Sequence, residues 1–135
     1  MVDLFEQQAA AAARRFKKSR NGVIWDTQTN LEWYVGPDQD TTWHEADTWV
    51  KCLTVAGGGW RLPSVDELRG LHQCGTGRGL LDSLFQTTGW FIWSGTIAGA
   101  DYARYFCFDD GSENQYYRDG SGEFRAFASR ASRRG

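Results

Sequence analysis

Apolar residues change their spacing twice along this chain, and those changes divide it. At the start, five alanines, Ala9 to Ala13, are preceded by Asp3 and Glu6 and followed by Arg14, Arg15, Lys17 and Lys18. This order complements a helix dipole at both ends and predicts a helix over Val2 to Lys18. Its apolar face is thin: Leu4, Phe5, alanines and Phe16. Such a helix must dock on the body of the protein or on a copy of itself. Ser19-Arg20-Asn21-Gly22 then supplies a turn.

Val23-Ile24-Trp25 and Leu31-Glu32-Trp33-Tyr34-Val35 are short β-branched and aromatic runs on either side of a polar stretch, and read as a strand pair. Next, Thr42 with Glu45 forms a capping box, and Trp43, Ala46, Trp49, Val50 and Leu53 recur at helical spacing until Gly57, Gly58 and Gly59 stop the pattern. A second box, Ser64 with Glu67, follows Pro63 and starts a helix striped by Val65, Leu68 and Leu71 that runs to about Cys74. Beyond a loop with Gly75, Gly77 and Gly79, the texture turns to strands: Trp90 to Trp93, Tyr102 to Phe108, Asn114 to Arg118 and Phe124 to Ala128. Asp110-Gly111 and Asp119-Gly120 are pairs that tight hairpin turns prefer, so this last third reads as an antiparallel meander.

Helix, two strands, two helices and then strands point to an α+β fold with short helices packed on a small antiparallel sheet. Three segments are expected: an Ala-rich helix over 1–20, one globular domain over 21–130 and a basic, frayed tail over 131–135 that begins near Arg130.

Composition sharpens this outline. The chain has 135 residues, 41% of them apolar, with seven Trp, five Tyr and eight Phe beside one Met, so rings rather than aliphatics should fill the core of one domain. A net charge of −2 disfavours a nucleic-acid partner. No apolar run is long enough to insert in a membrane, and the N-terminus lacks the apolar core of a signal peptide. Cys52, Cys74 and Cys107 allow one disulfide at most or buried free thiols, and leave the compartment open.

Chemical motifs are scarce. No G-x-S-x-G, H-E-x-x-H, P-loop or dinucleotide fingerprint occurs. Ser64 or Ser94 with His44 or His72, or Asp66 with Glu67, are the combinations a catalyst would use. Ser64 and Glu67 already serve as caps, so a non-enzymatic protein is expected. The same His and Cys residues lack zinc-ligand spacing. Asp109, Asp110, Glu113, Asp119 and Glu123 offer carboxylate oxygens of the kind calcium takes, although hairpin turns account for most of them, and no cofactor is expected.

The best binding surface is the hairpin from Asp101 to Glu123. Tyr102, Arg104, Asn114, Gln115, Tyr116, Tyr117, Arg118 and Ser121 mix flat rings with adaptable polar groups. A basic patch from Arg14, Arg15, Lys17, Lys18 and Arg20 with Arg125, Arg130, Arg133 and Arg134 is a further candidate, for a sulfated glycan, if the termini meet.

Leu31-Glu32-Trp33, then Thr42-Trp43 with Ala46, then Trp60-Arg61-Leu62-Pro63-Ser64 with Glu67 and Leu68, and later Trp93-Ser94-Gly95-Thr96 and Phe124-Arg125-Ala126-Phe127, together resemble the C-terminal domain of Legionella collagen-like adhesins. The resemblance spans roughly Gly22 to Arg130. It implies a C-type-lectin-like fold, related to retroelement-diversified variable proteins, that binds a glycan or protein ligand at a bacterial or phage surface or after secretion. In diversified relatives the variable positions lie in this C-terminal part. Some related folds host enzymes that oxidise cysteine. The E-P-N or Q-P-D and W-N-D motifs of calcium-dependent sugar binding are missing from this sequence. The residues Trp60, Arg61, Leu62, Pro63, Ser64 and Glu67 read as a strand-to-helix corner in which Arg61 pairs with an acid or a carbonyl. An alternative role is assembly, with the N-terminal helix joining copies into a homo-oligomer.

Overall fold

The computed structural model describes residues 15–72 and 84–132. Within them the order is β1 (Phe16–Lys18), β2 (Ile24–Asp26), β3 (Leu31–Val35), α1 (Trp43–Lys51), a 3-10 turn (Val55–Gly57), α2 (Val65–His72), β4 (Phe91–Ala98), β5 (Tyr102–Cys107), β6 (Glu113–Tyr117), β7 (Phe124–Arg125) and β8 (Phe127–Ala131). The fold is α+β, as the order of elements implies. Its strands divide between two four-stranded sheets, β1-β2-β3-β8 and β6-β5-β4-β7, where one sheet was expected.

The division comes from the last strand. Phe124 to Ala128 contains no turn residue and reads as one strand closing the meander. In the structure β7 pairs with β4, in parallel, and after Ala126 the chain continues as β8, antiparallel to β3. Gly36 donates its N–H to the Ala126 carbonyl at this crossing (2.9 Å). A Cβ on Gly36 would fall 2.6 Å from that oxygen, so the close approach requires glycine.

Both capping boxes form. Thr42 Oγ1 accepts from the Glu45 N–H while Glu45 accepts from the Thr42 N–H (3.1 and 2.9 Å), and Ser64 and Glu67 repeat the exchange at 3.1 and 3.0 Å. α1 ends at Lys51, so Leu53 lies beyond it, and Gly57, Gly58 and Gly59 shape the following loop with φ of 91°, 74° and 80° instead of stopping the helix.

Alternation along β4 and β5 explains where the helices sit. Trp93 and Ala103 join the cluster holding α1 residues Trp43, Ala46 and Val50. Ile92 and Phe106, pointing the other way, join Leu68 and Leu71 of α2 together with Phe16, Trp33, Phe85 and Phe127. Strands β4 and β5 of the second sheet are thus covered on both faces, and the core is aromatic as the composition requires.

Two expectations at the ends are corrected. Phe16–Lys18, read as the last turn of the N-terminal helix, is strand β1, paired with β2. Arg15 forks onto the buried Asp26 at 2.8 and 2.7 Å, and Phe16 packs edge-on against Phe85, so pairing and burial override a helix preference of tenths of a kcal/mol per residue. The rest of that helix, residues 1–14 with Leu4 and Phe5, lies outside the described residues, as do Cys74 and the loop around it. At the other end Arg130 and Ala131 complete β8, and the Ser132 N–H donates to the Asn30 carbonyl, so the expected fraying does not begin there. No helix among the described residues is long and apolar enough to cross a membrane.

Candidate functional site

The Trp60-to-Glu67 corner is a scaffold. Pro63 and Leu62 are buried, and Trp60 donates its indole N–H to the Val55 carbonyl (2.9 Å) while the Arg130 guanidinium covers its ring (4.2 Å). Arg61 finds an acid, Glu67, through two parallel bonds of 2.8 and 2.7 Å, and reaches Ser129 Oγ at 3.0 Å. Burial opposes ionisation of Glu67, but bonds from Arg61, Ser64 and Ser129 outweigh it and hold the carboxyl below its ordinary range. The corner then meets the Trp93-Ser94-Gly95-Thr96 stretch. Gly95 donates to the Pro63 carbonyl, and Ser94 accepts at its carbonyl from the Trp43 indole, both at 2.9 Å. That stretch is a bulge in β4, where pairing with β5 shifts between Trp93 and Ile97.

The predicted hairpin is real, and β6 lies at an open sheet edge with all five residues exposed. Strand pairing sorts its residues by face. Tyr102 lies opposite Tyr117 and Arg104 opposite Gln115, whereas Asn114 lies opposite Tyr105 and Tyr116 opposite Ala103. One face therefore carries Tyr102, Arg104, Gln115 and Tyr117, with the rings of Tyr102 and Tyr117 stacked 4.7 Å apart. Tyr116 and Asn114 belong to the other face. Tyr116 and Tyr117 are 45% and 55% exposed, unusual for rings of this size.

The remaining candidates have structural partners. Arg118 donates to the carbonyls of Gly99 and Ala100 and lies over the Trp43 ring. Arg104 pairs with Glu113 at 2.8 Å, and Glu113 also pairs with Arg69 of α2. The Ser121 carbonyl accepts from Phe124. The terminal basic patch is reduced by burial: Arg15, Arg125 and Arg130 sit inside against Asp26, against Asp38 with Asp40, and against Glu32, while Arg14, Arg133 and Arg134 lie outside the described residues.

On the Tyr116 face the structure adds a feature not foreseen from the sequence. Phe91, Tyr105, Tyr116, Gly122 and Phe124 line a cleft of about 300 Å³. Phe124 is its buried floor, with ring centroids of Phe91, Tyr105 and Tyr116 at 5.3, 5.0 and 5.5 Å and Trp93 stacked beneath at 4.1 Å. Period-two alternation places Tyr105 and Tyr116 on one face, but the floor comes from β7, whose parallel partner no local pattern reveals.

Of the acidic group, Glu113 is engaged by the two arginines and Asp110 accepts from the N–H and hydroxyl of Ser112 (2.9 and 2.6 Å). No three His, Cys, Asp or Glu side chains gather as a metal would need among the described residues. Cys52 is an exposed free thiol, against the burial expected of it, and Cys107 is a buried one whose thiol is pushed up by burial. The His72 ring lies against Phe106 and Phe108. Ser94 Oγ is wholly buried and donates to the Arg104 carbonyl.

No curated protein matches the chain. Residues 19–128, from the turn after β1 into β8, match the Lcl C-terminal domain, and that span includes the corner, the bulge and the hairpin. The chain belongs to the Lcl C-terminal domain family, an adhesin-type family.

Proposed function

We propose that this is a non-enzymatic, C-type-lectin-like recognition domain that binds a glycan or a protein epitope on the outer face of the β5–β6 hairpin. The observation that carries the reading is the open edge: a strand exposed over its whole length, bearing a stacked Tyr102–Tyr117 pair beside Gln115 and Arg104. Stacked rings give a ligand a flat apolar platform with little entropy to lose, and the neighbouring amide and guanidinium supply directed hydrogen bonds. Arg118 and Ser121 support the loop beside this platform. The groups a catalyst would require have other duties: Ser64 and Glu67 cap α2, and Ser94 holds the bulge. Phe16, which an assembly role would place between chains, is buried within the domain's own core.

The test is a glycan-array and cell-binding screen of the wild type beside Tyr102→Ala/Tyr117→Ala, with and without calcium. Binding that drops about tenfold or more in the variant, a loss of ~1.4 kcal/mol, is the expected result. Binding equal in both proteins would move the site off this face.

A further inference from the structure

We propose that the ring-walled cleft on the opposite face of the same sheet binds a small organic cation, a quaternary ammonium compound of the choline type. This goes beyond the hairpin reading, because the cleft shares no side chain with the Tyr102–Tyr117 platform.

The walls come first. Three rings, Phe91, Tyr105 and Tyr116, stand around a fourth, Phe124, and Gly122 completes the described lining. Aromatic faces attract a cation through the ring quadrupole, most strongly when the cation has shed its water. The volume of about 300 Å³ lies at the low end for small-molecule clefts, enough for one compact ligand. Tyr116 is held in place although half exposed: Phe124 stacks on its ring, and a Cβ on Gly120 would fall 2.2 Å from it. A wall set before binding has little entropy left to lose.

The surrounding charge selects the ligand's sign. Glu123 lies between the lining residues Gly122 and Phe124, Asp119 stands in the segment joining Tyr116 to them, and Asp109 and Asp110 stand in the turn that ends β5, Asp110 acting on Tyr105. Of the guanidiniums nearby, Arg118 rests on two carbonyls and the Trp43 ring and keeps its charge, whereas Arg125 is more than offset by Asp38 and Asp40, so the acidic groups still outnumber the basic ones. Burial first, then Cys107 and the Asp110 carboxylate, raise the Tyr105 hydroxyl above its ordinary value, and of these only Asp110 is charged at neutral pH. An anionic ligand such as a sulfated sugar would enter against that potential, and a cation with it.

The walls also select the kind of cation. Among the described residues no carboxylate lines the cleft itself. A primary ammonium, strongly hydrated, would lose water without gaining the acceptors it needs. A methylated ammonium has no N–H to satisfy and an apolar surface that matches the rings. The Asp110 carboxylate, which acts on Tyr105, and its acidic neighbours in sequence would balance the charge without contacting the ammonium.

The experiment is a ¹H–¹⁵N NMR titration of the whole chain at constant ionic strength, read at the indole N–H of Trp93 under the cleft floor. Choline chloride is compared with its uncharged isostere 3,3-dimethylbutan-1-ol and with a neutral methyl glucoside. Saturable shifts with choline, at least about tenfold weaker with the isostere and with the glucoside, are expected. Tyr116→Leu and Gly120→Ala, each checked for an unchanged melting temperature, should weaken choline by about tenfold. No saturable response to choline, equal affinity for the isostere, tighter binding of the glucoside, or full affinity in a folded Tyr116→Leu protein would each overturn the proposal.

Discussion

At Glu67 two oxygens hold three partners. They accept the Ser64 N–H that starts α2, the fork of Arg61 and the hydroxyl of Ser129 in β8, so one side chain joins corner, helix and sheet. Replacing it with Gln preserves shape and one acceptor but removes the charge, leaving a partly exposed guanidinium without its counter-ion. We expect Glu67→Gln to cost about 1–3 kcal/mol in urea unfolding, and Arg61→Lys to cost about 1 kcal/mol because an ammonium cannot make both parallel bonds. A loss below the error of extrapolation in both variants would mean that Pro63 and the Trp60 ring hold the corner unaided. The pairing of Arg61 with an acid was legible because both residues flank one local turn. The fates of Arg15, Arg125 and Arg130 were not: each pairs with a carboxylate supplied by another strand or loop, and in the sequence they look like surface charge.

Among the elements, the helices were legible and the strand partners were not. Capping boxes and a 3.6-residue stripe are written within a dozen residues, and both helices start where those signals place them. Thr42→Ala removes one side of a box at an exposed helix start and should cost about 1 kcal/mol, measured as a shift in denaturation midpoint with an unchanged slope. An unchanged midpoint would mean that Trp43, bonded to Ser94, fixes the helix end by itself. Strands depend on distant partners. The Ala run carried a helical expectation through Phe16–Lys18 until pairing with β2 overrode it, and Phe124 to Ala128 gave no sign that it changes sheets. The candidate site shows the same divide. Adjacent residues of a strand point to opposite faces, so the separation of Tyr116 from Tyr117 follows from their numbers alone. The cleft needs Phe91, Tyr105 and Phe124 from three strands, one of them parallel, and only the assembled sheet brings them together.

At the scale of the whole molecule, ion pairs fasten separate segments, Arg15 to Asp26, Arg125 to Asp38 and Asp40, and Arg130 to Glu32, while Arg61 to Glu67 closes the local corner. Their carboxylates make acid the natural way to loosen the fold. The bond from Arg125, then the Thr88 N–H, lowers Asp38 to about 2. Asp26 and Glu67 are also lowered, burial opposing and their arginine and hydroxyl partners prevailing. A carboxyl whose folded value lies below its unfolded value contributes stability that is present above the unfolded value and is lost as pH falls through the folded one. The melting temperature should therefore hold steady from about pH 7 to pH 5 and then fall by roughly 10 °C or more by about pH 2.5. Circular dichroism against pH measures this, and Asp26→Asn, less stable at neutral pH, should show a shallower acid limb. Because the Arg15–Asp26 and Arg130–Glu32 pairs are buried, about 0.5 M salt should leave the neutral-pH value nearly unchanged, as screening acts on exposed charges. A neutral-pH melting temperature that collapsed in salt would place the stabilising charges on the surface, against the burial of those pairs, and one that ignored acid would mean that these carboxylates do not stabilise the fold.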